Sequence, residues 1–140
     1  MNYLLDTSAV SEWIKPRPDQ GLVQWLAQCD EDRIFLSVIT LAELRCGIAR
    51  MAKGRRRAQL ENWLVKDLPQ RFLGRILPVD SVIADAWGEI VTERSAIGRP
   101  ISAMDGFIAA SARVHAMTLV TRNLADFQLS LPMLLSPWID

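Results

Sequence analysis

Short apolar runs alternate along this chain with longer stretches in which apolar residues recur every three to four positions. The runs read as strands at 2–5, 33–37, 76–79 and 118–121, with a short fifth at 133–135. Apolar runs of this length, without polar alternation, suit strands buried on both faces. The longer stretches read as helices at 8–14, 21–29, 40–53, 56–68, 81–97 and 102–116. Leu22, Trp25 and Leu26 share one face, as do Leu41, Leu44 and Ile48, and again Leu60, Trp63 and Leu64. Ser8 stands where it would cap the first helix, and Pro16 and Pro18 end it. Gly98 and Pro100 end the helix at 81–97. Pro78 brings no N–H to a ladder, so the third strand is expected at an edge or to be irregular.

Strands separated by helices imply an α/β fold with a parallel sheet covered on both faces. Ligands of such sheets bind beyond the carboxyl ends of the strands, where strand order reverses. Residues just past a strand, or opening the next helix, are therefore the ones to inspect. No repeat, low-complexity segment or linker divides the sequence, which predicts one domain over residues 1–140. A chain of 140 residues buries about two-thirds of its unfolded surface and needs no disulfide or structural metal.

Four acids occupy the positions to inspect. Asp6 follows YLL at the end of the first strand, and Asp126 lies five residues beyond the fourth. Glu43 and Asp105 are expected in the first turns of their helices. Each has a structural explanation. Thr40-x-x-Glu43 and Ser102-x-x-Asp105 read as capping boxes, and Asp6 and Asp126 read as turn residues. Together they are harder to dismiss. Two carboxylates about 5 Å apart repel by roughly 3 kcal/mol at an effective dielectric of 20. A converging set must hold protons or bind a cation. Oxygen ligands without sulfur or imidazole favour Mg²⁺ or Mn²⁺, and the chemistry that follows is phosphodiester hydrolysis.

Four segments carry a family likeness: YLLDTSAVSE at 3–12, SVITLAELRCGI at 37–48, ISAMDGFIAASA at 101–112 and TLVTRNLADF at 118–127. In these the chain resembles the PIN-domain ribonucleases, in particular the VapC-type and FitB-type toxins of type II toxin–antitoxin pairs. The resemblance implies a three-layer α/β/α fold with about five parallel strands. It implies an endoribonuclease dependent on Mg²⁺ or Mn²⁺. It matches Asp6, Glu43 and Asp105 to the three principal acids and Asp126 to a more variable fourth. Thr121 and Asn123 match polar residues that order the acidic pocket. It further implies an antitoxin partner, a homodimer and an RNA substrate.

Lys plus Arg equals Asp plus Glu, 16 each, so attraction to a polyanion must come from local placement. Residues 45–57 hold Arg45, Arg50, Lys53, Arg55, Arg56 and Arg57 and no acid. That run suits RNA phosphates or, equally, a solvated turn between helices. Arg99 and Arg122 flank the acidic segments and are weaker candidates. The five tryptophans fit core packing better than base stacking, with Trp13 and Trp25 as candidates for an apolar partner groove. Cys29 and Cys46 are expected as small buried hydrophobes, and His115 as a helix-end cation. Two cysteines, no leader-like N-terminus and no long apolar run make a reducing cytoplasm the expectation, with no membrane span. Two other classes compete with the nuclease. A non-cleaving nucleic-acid-binding module would use the same surface through its partner. A phosphatase with D-x-D after the first strand is disfavoured, because position 8 is Ser.

Overall fold

The structure is a computed structural model that describes residues 1–139. Five parallel strands form the central sheet: β1 (Tyr3–Leu5), β2 (Ile34–Ser37), β3 (Ile76–Leu77), β4 (Thr118–Val120) and β5 (Leu134–Leu135). Their order is β3-β2-β1-β4-β5. Tyr3 stands beside Ile34 on one side and Thr118 on the other. The chain therefore builds outward from β1 in one direction and then in the other, so strand order reverses between β1 and β4.

Helices cover both faces. On one lie α6 (Ser81–Ala96), α7 (Ala103–Val114) and α8 (Leu124–Phe127). They bury Ile83, Ile90, Ile108 and Phe127 against Leu4 and Leu119. On the other lie α1 (Thr7–Trp13), α3 (Val38–Ala49), α4 (Arg55–Asn62) and α5 (Leu68–Arg71). They bury Val10, Leu44, Ile48, Leu68 and Phe72 against Leu5, Leu36 and Val120. Leu4 and Leu5 point to opposite cores because side chains alternate along a strand. The expected three-layer α/β/α fold with a five-stranded parallel sheet is what forms. α2 (Gln20–Gln28) follows α1, and Trp25 meets Tyr3 edge to face at 5.0 Å.

Several local expectations change. Asp6, not Ser8, caps α1: its carboxylate accepts from the Ala9 N–H at 2.9 Å. α3 begins at Val38, two residues earlier than expected, with Ser37 accepting from the Ile39 N–H. The Thr40–Glu43 capping box therefore does not form, because both residues lie inside the helix. The helix expected at 56–68 extends to Arg71 and is interrupted by a π-turn at Trp63–Asp67. Pro69 is the physical reason. Its ring crowds the carbonyl four residues back and brings no N–H, and a wider turn relieves both conflicts. β3 stops at Leu77 before Pro78 and is an edge strand, as expected. No helix among the described residues is long and apolar enough to cross a membrane.

Candidate active site

The end of β1 delivers Asp6 to the point where strand order reverses, beside the end of β4. Its backbone N–H donates to the Val120 carbonyl at 3.1 Å, so the chain leaves the sheet only after this residue. The carboxylate is buried, with 5% of the residue exposed. Besides the Ala9 N–H it accepts from the Ser8 hydroxyl at 2.6 Å and from the Thr121 hydroxyl. Burial pushes its pKa above the usual carboxylate range. The Ser8, Thr121 and Ala9 hydrogen bonds oppose that rise, and the charge of Asp105 adds to it. Burial thus outweighs the hydrogen bonds, and the groups that offset it are neutral hydroxyls and an amide rather than a cation.

Asp105 sits in the first turn of α7, and the Ser102 hydroxyl accepts from its N–H at 3.2 Å. This is the half of the expected capping box that forms around the backbone. The Asp105 carboxyl is also raised. Burial is the main cause, a Ser102 hydrogen bond opposes it, and the charges of Glu43 and Asp126 reinforce it. Glu43 reaches in from α3, where its Oε1 accepts from the Thr7 hydroxyl at 2.6 Å. That hydroxyl also lies 3.2 Å from the hydroxyl of buried Thr40. Asp126 is exposed in the first turn of the short α8, its N–H bonded to the Asn123 carbonyl at 3.1 Å.

The four acids from β1, α3, α7 and α8 are thus brought to one end of the sheet, with Asp105 feeling the charge of both Glu43 and Asp126. Thr121 is wholly buried and joins two parts of the site: it donates to Asp6 and accepts from the Asn123 N–H at 3.0 Å. Asn123 contributes backbone groups to this network and makes no side-chain cap to α8.

Among the described residues no three carboxylate, imidazole or thiol groups close on one point as a ready metal cage. The donor chemistry nonetheless fits Mg²⁺ or Mn²⁺. The ligands on offer are hard oxygens, and Mg²⁺ commonly takes one or two carboxylates, keeps several waters and accepts a substrate phosphate. Softer zinc-type sites are disfavoured. His115 caps the far end of α7, and Cys46, which lines a cleft with Glu43, joins no group of three such ligands among the described residues.

The basic run divides. Arg57 is committed to Glu61 at 3.2 Å and to the Met51 carbonyl, Arg45 lies 3.8 Å from Glu61, and Arg56 holds the Ile14 carbonyl. Arg50 instead lines a cleft with Glu43, Cys46 and Met104. Lys53 is exposed between α3 and α4, Arg55 is exposed at the first position of α4, and Arg122 is exposed beside the Ser8–Asp6 pair. Cys46 is exposed and Cys29 half-buried, which corrects the expectation that both lie in the core. The outward turn of α3 at Cys46 is the reason, since Leu44 and Ile48 occupy its buried face. The tryptophans pack as expected. Trp87 stacks on Phe107, Trp13 meets Phe72 edge to face, and Trp63 and Trp138 pack against the second core.

Residue patterns alone missed Thr7, Thr40 and Arg94. Thr7 directly follows Asp6, which puts its hydroxyl at the same strand end. Arg94 falls at helical spacing from Ile83 and Ile90, and a charge on an apolar face was the available signal.

Fold and acids together define an α/β protein with four carboxylates gathered at the switch point of its sheet. The PIN domain family matches residues 3–128, and the chain belongs to that family. Toxin FitB of Neisseria gonorrhoeae is 36% identical over 137 residues, covering 98% of this chain and 99% of its own length. The VapC ribonuclease Y4jK of Sinorhizobium fredii is 33% identical over 135 residues, 96% of each chain. Among solved structures, FitAcB from Neisseria gonorrhoeae superposes with a TM-score of 0.90 at 36% identity, covering 99% of both chains.

Proposed function

We propose that this chain, acting as one PIN unit over residues 1–140, is an endoribonuclease toxin that uses Mg²⁺ or Mn²⁺ to hydrolyse RNA phosphodiester bonds and is neutralised by a cognate antitoxin. One observation carries the reading. Asp6 is buried at the switch point, held by the Ser8 hydroxyl and the Ala9 amide, and Asp105 at the start of α7 is close enough to Asp6, Glu43 and Asp126 to feel their charges. A relative named as a ribonuclease and another named as a toxin support the same activity class.

Asp6 and Asp105 would hold the cation most directly, with Glu43 completing the pocket from α3. When bound, a hard dication neutralises the clustered carboxylates, acidifies a water for attack on phosphorus and offsets charge on the leaving oxygen. Asp126 orients the attacking water or a second ion from the open side. Ser8, Thr121 and the Ala9 amide fix the Asp6 carboxylate, and Thr7 fixes Glu43. Asn123 ties α8 to Thr121 through its backbone. Arg50, beside Glu43, is placed for an RNA phosphate, with Arg45, Lys53, Arg55 and Arg122 as further contacts. The groove lined by Trp13, Val23, Leu26 and Ile34 offers the antitoxin an apolar seat, with Arg71 and Glu31 paired at 2.7 Å on its rim. The acting form is a cytoplasmic homodimer, able to join a larger toxin–antitoxin assembly.

The test is end-mapping of structured RNA after incubation with purified chain, with Mn²⁺ or Mg²⁺ against chelator. Metal-dependent 5′ and 3′ ends that vanish in Asp6→Asn and in Asp105→Asn are expected. Equal cleavage by both variants overturns the reading. Tight RNA binding without products would favour the non-cleaving module instead.

A further inference from the structure

Arg94 stands on the buried face of α6 with 6% of its surface exposed. Its Nε donates to the Arg99 carbonyl at 2.7 Å. Its Nη1 donates to the Asp126 carbonyl at 2.9 Å and to the Ser130 hydroxyl at 3.2 Å. These acceptors are all neutral. A buried guanidinium is expensive to desolvate, and an apolar side chain of similar volume would commonly serve packing as well. What an apolar side chain lacks is the planar fork of donors. The fork here spans two segments distant in sequence. One is the turn after α6 that leads to the Ser102 cap and Asp105. The other is α8 and the turn after it. Arg94 also lines the same small cleft, about 110 Å³, as Ser102, Asp105 and Asp126. α8 has only four residues: Phe127 anchors it in the core, Asn123 ties its start to Thr121, and Arg94 adds a third tie at the Asp126 carbonyl.

We propose that Arg94 is a positioning residue: its guanidinium clamps the Asp126 carbonyl to the turn that launches Asp105, and so sets how the Asp126 carboxylate faces Asp105. The assignment rests on the nuclease reading of those two acids. The hydrogen bonds of Arg94 go to two backbone carbonyls and a hydroxyl, and none goes to a carboxylate. It acts through Asp126. A 1 Å misplacement of a catalytic group is enough to slow a reaction about 100-fold, so loosening α8 is felt in turnover rather than in substrate affinity.

The experiment compares wild type, Arg94→Met, Asp126→Asn and the double variant. Mn²⁺ affinity is read by calorimetry and RNA cleavage as separate kcat and KM. Arg94→Met is expected to weaken Mn²⁺ binding several-fold and to lower kcat about 10- to 100-fold with KM little changed. The double variant is expected to be no worse than the poorer single, since Arg94 has nothing left to orient. A general packing role would instead multiply the two losses. Additive losses, wild-type behaviour of Arg94→Met, or an inert Asp126→Asn each overturn the proposal. Should Arg94→Met fail to fold, Arg94→Lys takes its place: it keeps the charge but cannot span both carbonyls, and the same losses are expected. If wild type itself cleaves no RNA, the nuclease reading falls, and the calorimetric cycle alone decides the role of Arg94.

Discussion

The hydroxyl of Thr7 donates to the carboxylate of Glu43 across 2.6 Å, although 36 positions separate them in the chain. The bond ties the residue after Asp6 to the middle of α3 and leaves Glu43 facing the other acids. Removing the hydroxyl while keeping the shape should cost about 1 kcal/mol of stability. Thr7→Val is expected to show that loss in chemical denaturation and a several-fold fall in RNA cleavage, whereas Thr7→Ser retains both. Unchanged cleavage by Thr7→Val would remove Thr7 from the site.

The raised carboxyls of Asp6 and Asp105 predict a pH dependence. A carboxyl whose pKa is higher in the folded than in the unfolded chain binds more protons when folded. Its contribution to stability is greatest below the unfolded value, 3.8, and declines as pH rises from there through the raised folded value. Without divalent metal, Asp6→Asn and Asp105→Asn should therefore gain stability relative to wild type between pH 4 and 7. The comparison is of denaturant midpoints at each pH. Asn also caps helices well, so Asp6→Asn keeps the start of α1. A widening loss of stability in either variant toward pH 7 would contradict the sign.

Mn²⁺ should reverse that penalty in the wild type. Binding to the folded form alone raises stability with the logarithm of metal concentration above its dissociation constant. The melting temperature is expected to rise with added Mn²⁺ at pH 7, less so at pH 4, and not in the Asp6→Asn, Asp105→Asn double variant. An equal rise in the double variant would place the ion elsewhere.

Gly106, one residue after Asp105, lets α7 approach α6. A Cβ there would stand 2.9 Å from the Trp87 Nε1 and 3.0 Å from its Cδ1. Trp87 cannot simply withdraw, because its Nε1 donates to the Ala103 carbonyl at 3.0 Å and its ring stacks on Phe107. Gly106→Ala should destabilise by about 1–3 kcal/mol through overpacking, and Trp87→Phe should recover part of it. Equilibrium unfolding of the two single variants and the pair checks this.

Ala116 holds a left-handed backbone, φ 51°, in the turn between α7 and β4. A Cβ is unfavourable there, and glycine removes the strain at some loss of unfolded-state entropy. Ala116→Gly should raise stability by up to about 1 kcal/mol, read as a shifted denaturant midpoint with unchanged slope.

The sequence legibly encodes the strand–helix alternation, the edge position before Pro78 and the four acidic positions, because burial on both faces demands continuous apolar runs. It was less informative about helix starts. Ser37 and Asp6 compete with Ser8 and Thr40 as caps, and only the direction in which the chain leaves each strand decides between them. The π-turn before Pro69 and the exposed turn of α3 at Cys46 were equally hidden.

By itself the linear order of residues determined which layers form and which side chains lie near strand ends, since apolar periodicity and strand polarity are local properties. The three-dimensional fold alone decided that the carboxylates of Asp6, Glu43, Asp105 and Asp126 share one end of the sheet, and that a buried Arg94 joins two remote segments behind them. Both depend on the order β3-β2-β1-β4-β5. That order arises when two cores are filled at once, a condition that no single stretch of the chain contains.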